Sequence, residues 1–276
     1  MMRIWLLCVV CAGILLTAVA APTAAEDTGA LYQAYAIVTG TDMRQRPWGF
    51  AQCLREVLVK VSGDPRLKDD PRMTGLAAHA DQLVTSFDYV DMMAGIPKKD
   101  DQGSYDRPHR LTVHFDPARI DSALAELGEK AWRGDRPVVV PVLLVRGRKP
   151  PPYILSAEIP AGAEQRGSFI AAASEFGMNV RLPSEAELAA WGIAVDHFPF
   201  PKAAPPDQKP GAAPGEAIVV GSLEWNETLP GWIGSWRTRW HGVDHAWGVS
   251  GVNYDAAFRD IVRGIVLLAS GRGVSD

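Results

Sequence analysis

Aromatic, basic and imidazole side chains are concentrated in one stretch of the chain, residues 217–252. This stretch contains five of the nine tryptophans, which are Trp225, Trp232, Trp236, Trp240 and Trp247. Indole rings provide large contact areas at low entropic cost and are frequent at binding hot spots. The chemistry they suggest is therefore non-covalent binding, either of sugar rings or of the apolar surface of a partner.

Two histidines in the same stretch, His241 and His245, superficially offer a metal-binding pair with Asp244 between them. On a helix this spacing would place both imidazoles on one face. Gly242 and the alternation around it favour a hairpin turn instead, and a third or fourth ligand cannot be identified. We therefore predict no metal ion and no cofactor, and we keep His241 and His245 only as candidate binding residues.

From Trp232 onwards the tryptophan-rich stretch has a period of two, which is typical of a β-meander. One strand face carries Trp232, Gly234, Trp236, Thr238 and Trp240, and the other carries Arg237, Arg239 and His241. The aromatic face either packs against the final helix as core, which we favour, or forms an exposed platform. Arg237 and Arg239 then face solvent, as contacts for an acidic partner or as ordinary solvated charges, and Trp225 lies beside the turn at Asn226–Pro230.

Catalytic motifs are missing from the sequence. It has no Gly-x-Ser-x-Gly elbow, no phosphate-binding glycine loop, no His-Glu-x-x-His and no Cys-x-x-Cys pair. No catalytic residue is assigned, and the sequence leans towards a protein without enzymatic activity. The candidate site residues are binding residues: Trp225, Arg237, Arg239, His241 and His245.

Hydrophobic periodicity predicts an α/β (α+β) fold of two small modules, each a mixed or antiparallel sheet packed by helices. The first module, residues 26–135, is expected to contain strands at Leu31–Thr39, Phe87–Met93 and Arg110–Phe115, and helices at Pro47–Val61, Pro71–Val84 and Ala118–Leu127. Cys53 lies on the apolar stripe of the first helix, where it is expected to be a small buried hydrophobe.

The second module, residues 136–276, is predicted to be a β-α-β-β-β-α unit that ends in the tryptophan-rich meander and a C-terminal helix. Its elements are a doubly buried strand at Val138–Val145, a short strand at Ile154–Ile159, a helix at Gln165–Phe176, an extended segment at Met178–Leu182, a capped helix at Ser184–Ala190 and the final helix at Asn253–Ser270. Residues 198–216 hold six prolines and are predicted to be a disordered loop.

The first 25 residues have the pattern of a signal peptide: a basic start at Met1–Arg3, an apolar run at Ile4–Ala20 and small residues before a cleavage site. A membrane anchor is the alternative, since the run approaches the ~20 residues that span a bilayer. Cleavage removes Cys8 and Cys11, leaving no possible intramolecular disulfide. Only Arg3 among the charged residues is lost, which changes the net charge from −4 to −5 and argues mildly against nucleic acid as partner.

Several segments resemble the domain of unknown function 2066 family of uncharacterised proteobacterial exported proteins. They are Trp48–Leu67 with its VLVKVSGDPRL, the HFDPARID turn, the DRPVVVPVLLV strand and VVGSLEW with the tryptophans that follow. The resemblance implies a bacterial secreted or periplasmic protein and implies no activity. The second half also resembles, in architecture alone, the α/β modules of envelope proteins such as the amino-terminal domain of TolB or the curli secretion lipoprotein.

Together these observations predict a periplasmic or secreted, non-enzymatic binding or accessory protein of the cell envelope. Its expected partner is another envelope protein, with no nucleic acid and no stable membrane span after signal cleavage. The alternative is a glycan-binding or glycan-active protein that uses its tryptophans as a stacking platform.

Overall fold

The computed structural model describes residues 28–96, 107–198, 215–228 and 230–273. The predicted signal peptide (1–25) and the central part of the predicted proline-rich loop (199–214) lie outside these residues. The elements are α1 (Thr28–Leu31), β1 (Gln33–Thr39), α2 (Arg46–Ser62), α3 (Met73–Ala77), β2 (Val84–Asp91), β3 (Pro108–Phe115), α4 (Pro117–Glu126), β4 (Val138–Arg146), β5 (Tyr153–Ile154), α5 (Ala163–Glu175), α6 (Glu185–Ala190), β6 (Glu216–Asn226), β7 (Gly231–Trp240), β8 (Val243–Val252) and α7 (Tyr254–Ala269). They confirm the predicted α/β (α+β) fold class.

The first sheet is antiparallel, with the strand order β1-β3-β2, and α2 packs against it. Helix α2 begins next to Pro47, whose fixed φ suits a first helical turn, and ends at Gly63, which has φ 66°. Cys53 on its apolar stripe is fully buried, and this burial raises the pKa of its thiol to about 12. The thiol is therefore protonated and unreactive at neutral pH.

The helix predicted at Pro71–Val84 is wrong in extent. Helix α3 covers only Met73–Ala77, and a separate 3-10 turn follows at Ala80–Leu83. The two are divided at His79, which leaves the helical conformation with φ −116° and ψ 24°. Strand β2 also begins three residues earlier than predicted, because Val84 already pairs with Phe115 of β3.

The second sheet has the order β5-β4-β6-β7-β8. Strands β4 and β6 run parallel, from Val138 opposite Glu216 to Arg146 opposite Glu224, and the other neighbouring pairs are antiparallel. The interior of β4 is buried on both faces, as its apolar run predicted. Helices α5 and α7 cover one face, and on the other face Leu188 of α6, with Trp191 and Ile193, packs over β4 and β6.

Two boundaries in the second half differ from prediction. The strand expected at Ile154–Ile159 is limited to β5, since the hydroxyl of Ser156 accepts a hydrogen bond from Ile159 N at 3.0 Å and turns the chain. The segment Met178–Leu182 is extended, as predicted, and forms one parallel bridge, from Val180 to Val139. The range 198–216 is structured at both ends, because Phe198 packs on the core beneath α6 and Glu216 begins β6.

The tryptophan-bearing face of β7 points towards α7, as the core interpretation predicted. Trp236 is 2% exposed, and its indole Nε1 donates a 3.1 Å hydrogen bond to Oδ2 of Asp260 on α7. Trp247, opposite Trp236 on β8, donates to the backbone oxygen of Asp260 at 3.2 Å. Trp232 and Trp240 are half-buried against the same core.

Both halves of the chain share one buried core, and polar contacts join them at the end of α2. The buried carboxylate of Asp64 accepts hydrogen bonds from Arg66 N, Nε and Nη2 and from Arg272, which lies just after α7. Arg272 also donates to Glu129 at 2.8 Å, and the Ser270 hydroxyl donates to Gly63 O at 3.1 Å. Among the described residues, no helix has the length and apolar character needed to cross a bilayer.

Gly264→Ala should destabilise the protein, whereas Gly167→Ala should not. A Cβ at Gly264 of α7 would lie 2.4 Å from Cε2 of the Trp247 indole, while a Cβ at Gly167 of α5 would meet no described atom within 4 Å. Overpacking costs about 1–3 kcal/mol, and removing a helical glycine gains about 0.5–1 kcal/mol. Chemical denaturation of both variants measures the difference, and equal stability would contradict the close helix-to-sheet packing.

Asp64→Asn should lower the free energy of unfolding at pH 7 by about 1–3 kcal/mol. Burial alone would raise the pKa of Asp64, but hydrogen bonds from Arg66 and the charges of Arg272 and Arg66 outweigh it and hold that pKa below its ordinary value. The stabilisation is therefore complete above the unfolded-state pKa of about 3.9 and is lost as the pH falls through the lowered folded-state pKa.

Urea unfolding of the wild type and Asp64→Asn across pH 2–7 tests this expectation. The two curves should converge at the acidic end. Asp42→Asn is the matched control. Arg44 lowers the pKa of Asp42 to about 2, but that pair lies at the surface, with side-chain exposures of 87% for Arg44 and 38% for Asp42, and surface pairs contribute little. An equal loss of stability in both variants would contradict a special role for Asp64.

Candidate binding site

An aromatic cleft lies where the parallel strands β4 and β6 end. Ligand sites in open α/β sheets occur at this carboxyl edge of parallel strands. The cleft encloses about 270 Å³ and is formed by the segment after β4, the end of β6, the start of β7 and the first turns of α5 and α7. Its side chains include Arg148, Lys149, Pro150, Tyr153, Gln165, Trp225, Trp232 and Tyr254.

The two tryptophans of the cleft hold each other in place. Trp225 and Trp232 are cross-strand partners, and their ring centroids are 5.7 Å apart with an interplanar angle of 83°. The Trp232 ring also packs on Gly147, where a Cβ would lie only 3.1 Å from Cη2. This edge-to-face pair is a favourable aromatic geometry, so the cleft wall is rigid before any ligand arrives.

An ion pair fixes the rim of the cleft. The Arg148 guanidinium lies 4.8 Å from the centroid of the Trp225 ring and donates two 2.7 Å hydrogen bonds to Glu227. The hydrogen bond from Arg148 is the main reason that the pKa of Glu227 is lowered. Glu227 is therefore ionised at neutral pH and cannot serve as a proton donor.

Two buried polar atoms of the cleft lack a hydrogen-bond partner among the described residues. They are the donor Nε1 of Trp225 and the acceptor Oε1 of Gln165. The Trp225 indole lies close enough to Glu227 to help lower the pKa of that carboxyl, but their geometry falls short of a hydrogen bond. Leaving such a group unsatisfied costs about 1–3 kcal/mol, so both atoms point to a ligand or bridging water.

A third unpaired atom, Asp121 Oδ1, lies elsewhere and belongs to a carboxylate whose Oδ2 binds Arg133 at 2.6 Å. The cleft is thus where an unpaired donor and an unpaired acceptor occur together in the described part of the chain. Its two phenols remain neutral at physiological pH. Burial raises the pKa of Tyr153, and burial followed by the charge of Glu164 raises that of Tyr254.

Of the residues predicted as binding candidates, Trp225 lies in the cleft and the other four do not. Arg237 and Arg239 lie on the sheet face opposite α7, where Arg239 binds Asp244 with hydrogen bonds of 2.7 and 2.9 Å. Arg237 borders a shallow hollow of about 190 Å³. The hollow is lined mainly by apolar side chains, including Phe198 and Val220.

His241 and His245 do not form a metal site. His241 (φ 47°) and Gly242 (φ 78°) form the two-residue turn between β7 and β8 that the sequence suggested. The centroids of the His241 and Trp240 rings are 4.8 Å apart. His245 pairs with Thr238 on the face that points towards α7, whereas Asp244 lies on the opposite face. Among the described residues, no three His, Cys, Asp or Glu side chains converge as metal ligands.

Sequence reasoning did not find Arg148, Gln165 or Tyr254. These residues are far apart in the chain and meet because β4 and β6 are parallel neighbours. The sequence feature that could have revealed the cleft was the pair of apolar runs at residues 138–145 and 217–223. If two such buried strands are parallel, the segments after them must meet at one edge.

Comparison with known proteins gives one family match. Residues 25–133 match the family described as a domain of unknown function, DUF8605. This match covers less than half of the chain and excludes the aromatic cleft. No curated protein and no solved structure matches the chain.

The expected membership in the domain of unknown function 2066 family is therefore wrong. Its most specific segment, VSGDPRL, ends α2 at a left-handed glycine and starts the next turn with an Asp cap, since Asp64 Oδ1 accepts from Arg66 N. Gly and Asp-Pro are favoured at such positions on stereochemical grounds alone. Unrelated chains can therefore share this segment.

Gln165→Leu should leave the unfolding free energy unchanged or raise it by up to about 1 kcal/mol, because it removes an unpaired buried acceptor. Most substitutions of a partly buried residue destabilise a protein, so this direction is informative. Gln52→Leu on α2, where the glutamine is exposed, is the control and should have little effect. Thermal denaturation checks both variants, and a clear loss of stability in Gln165→Leu would show that Oε1 is satisfied in the free protein.

Proposed function

We propose that this protein is an exported, non-enzymatic binding protein of the cell envelope whose aromatic cleft binds a sugar-like ring. The observation that carries the proposal is the pair of unpaired atoms, Trp225 Nε1 and Gln165 Oε1, on the walls of one cleft. A ligand that fits must offer both an acceptor and a donor. It must also offer an apolar face to the indoles.

A pyranose ring meets these requirements. Its C–H faces pack on indole rings, and each hydroxyl group can donate and accept a hydrogen bond. A volume of about 270 Å³ is slightly below the roughly 300–1,000 Å³ of pockets for drug-sized ligands. The cleft therefore suits one or two rings at the end or along the side of a glycan, and Lys149 on the rim favours a neutral or acidic glycan.

Binding is better supported than hydrolysis. Glycoside hydrolysis needs two carboxyl groups across the scissile bond, one of them with a raised pKa. No carboxylate is among the described residues that line the cleft. Glu227 at the rim is held by Arg148 and has a lowered pKa, so it is unsuited to donate a proton.

The location is proposed from the N-terminal sequence. The basic start, the apolar run and the small residues of positions 1–25 are the support for export. An envelope location would bring the cleft into contact with cell-wall glycans. It is also compatible with a protein partner, as the sequence suggested.

Titration with soluble peptidoglycan fragments and with an N-acetylglucosamine trisaccharide tests the proposal. Tryptophan emission should shift, and calorimetry should give a saturable isotherm. Trp225→Phe keeps an aromatic wall but loses Nε1–H, so affinity should fall about 3–10-fold, the effect of one hydrogen bond. Trp225→Ala should abolish measurable binding.

Trp240→Phe is the matched control. It lies eight residues from Trp232 on the same strand, about 26 Å at the usual strand rise, and its substitution should leave binding unchanged. Equal effects of the two phenylalanine variants would argue against the cleft. An absence of any emission change or heat at millimolar saccharide would overturn the proposal.

A further inference from the structure

We infer that the outer edge of β1 is a docking site for an extended, acidic segment of a partner protein, which adds to the first sheet as a further strand. This inference does not rest on the aromatic cleft. It rests on the hydrogen-bond pattern of β1, on a groove beside it, and on the charges that line this groove.

The hydrogen-bond pattern leaves one edge of β1 open. Strand β1 is terminal in its sheet. Phe115 N donates to Tyr32 O, and Gly40 N donates to Arg107 O. The backbone N–H and C=O groups of the even-numbered residues of β1 therefore point towards β3. The N–H and C=O groups of Tyr35 and Ile37 therefore point outwards, and they have no hydrogen-bond partner among the described residues.

The neighbouring outward carbonyl supports this assignment. Gln33 O accepts a 3.0 Å hydrogen bond from Nζ of Lys60, which approaches from the outer side. Beyond Gln33, none of the residues that the structure describes forms a backbone hydrogen bond with this edge. Unpaired strand edges are templates for strand addition, and natural proteins usually cover or blunt them.

A groove runs along this edge, with α5 as its opposite wall. Two adjoining cavities of about 450 and 620 Å³ share Tyr35 and Ser174 at their boundary. Large apolar side chains around it are exposed: Tyr35 by 48%, Ile37 by 43%, Trp48 by 51% and Ile170 by 54%. Clustered exposure of this kind marks interaction sites, and alternation along β1 selects a partner with apolar residues at every second position.

Charge identifies the kind of partner. Five basic and two acidic side chains line the two cavities, on a chain whose net charge is −4. Both acidic groups are already paired, Glu56 with Lys60 at 2.7 Å and Glu175 with Arg259 at 3.4 Å. The groove is therefore complementary to an acidic strand. It would repel a second copy of itself, which disfavours a dimer formed edge to edge.

Fluorescence anisotropy with two labelled seven-residue peptides tests the inference. One alternates Val with Glu or Asp, and the other alternates Val with Lys. The protein should bind the acidic peptide at least tenfold more tightly at low salt, and this preference should shrink at 1 M salt, where the Debye length is about 3 Å.

Ile37→Pro tests the strand addition itself. It removes an outward N–H that β3 does not use, and proline is tolerated on sheet edges, so the variant should fold. Its affinity for the acidic peptide should fall on the order of tenfold. Ile37→Thr keeps the N–H and should bind within about threefold of the wild type.

Modified peptides provide a second test, which does not depend on whether Ile37→Pro folds. N-methylation of alternate peptide amides should abolish binding in one register and preserve it in the other, because only alternate amides face β1. Equal binding of the acidic and lysine peptides, indifference to N-methylation in both registers, or a concentration-dependent dimer that excludes the peptide would overturn the inference.

Discussion

The buried carboxylate of Asp64 is the interaction on which the arrangement of the two halves depends. It lies at the turn after α2 and binds Arg66 in its own turn and Arg272 beyond α7, more than 200 residues later in the chain. A buried carboxylate without these partners would be costly, so Arg66 and Arg272 stabilise the turn, and Arg272 also joins it to Glu129. The contact places α7 and the sheet it covers in a defined position beside α2.

The packing of α5 on α7 positions the walls of the aromatic cleft in a similar way. The first turns of α5 and α7 supply Gln165 and Tyr254 to the aromatic cleft, and the two helices are locked together by Phe169 and Phe258, whose rings are 5.1 Å apart. Rigid elements reduce the entropy lost when a ligand binds. The cleft therefore keeps its unpaired donor and acceptor in place and does not collapse around them.

Local patterns in the sequence were sufficient to predict most helices and strands and the burial of Trp236. Period-two alternation and helix capping each depend on only a few neighbouring residues. They were insufficient for the aromatic cleft, which depends on the parallel pairing of β4 with β6 across about 70 intervening residues. Gln165 shows the difficulty clearly. Nothing around it in the chain distinguishes it from an ordinary helical glutamine, and its unpaired oxygen exists only after Trp225 and Tyr254 have been brought beside it.

The position of α5 gives the two proposals a common basis. Its first turn borders the cleft through Gln165, while Ile170 and Ser174 border the β1 groove from a different face of the same helix. A glycan in the cleft and an acidic strand on β1 would therefore contact separate surfaces and need not compete. Simultaneous occupancy is what an accessory protein that links a partner to a glycan requires, and it needs no catalytic residue.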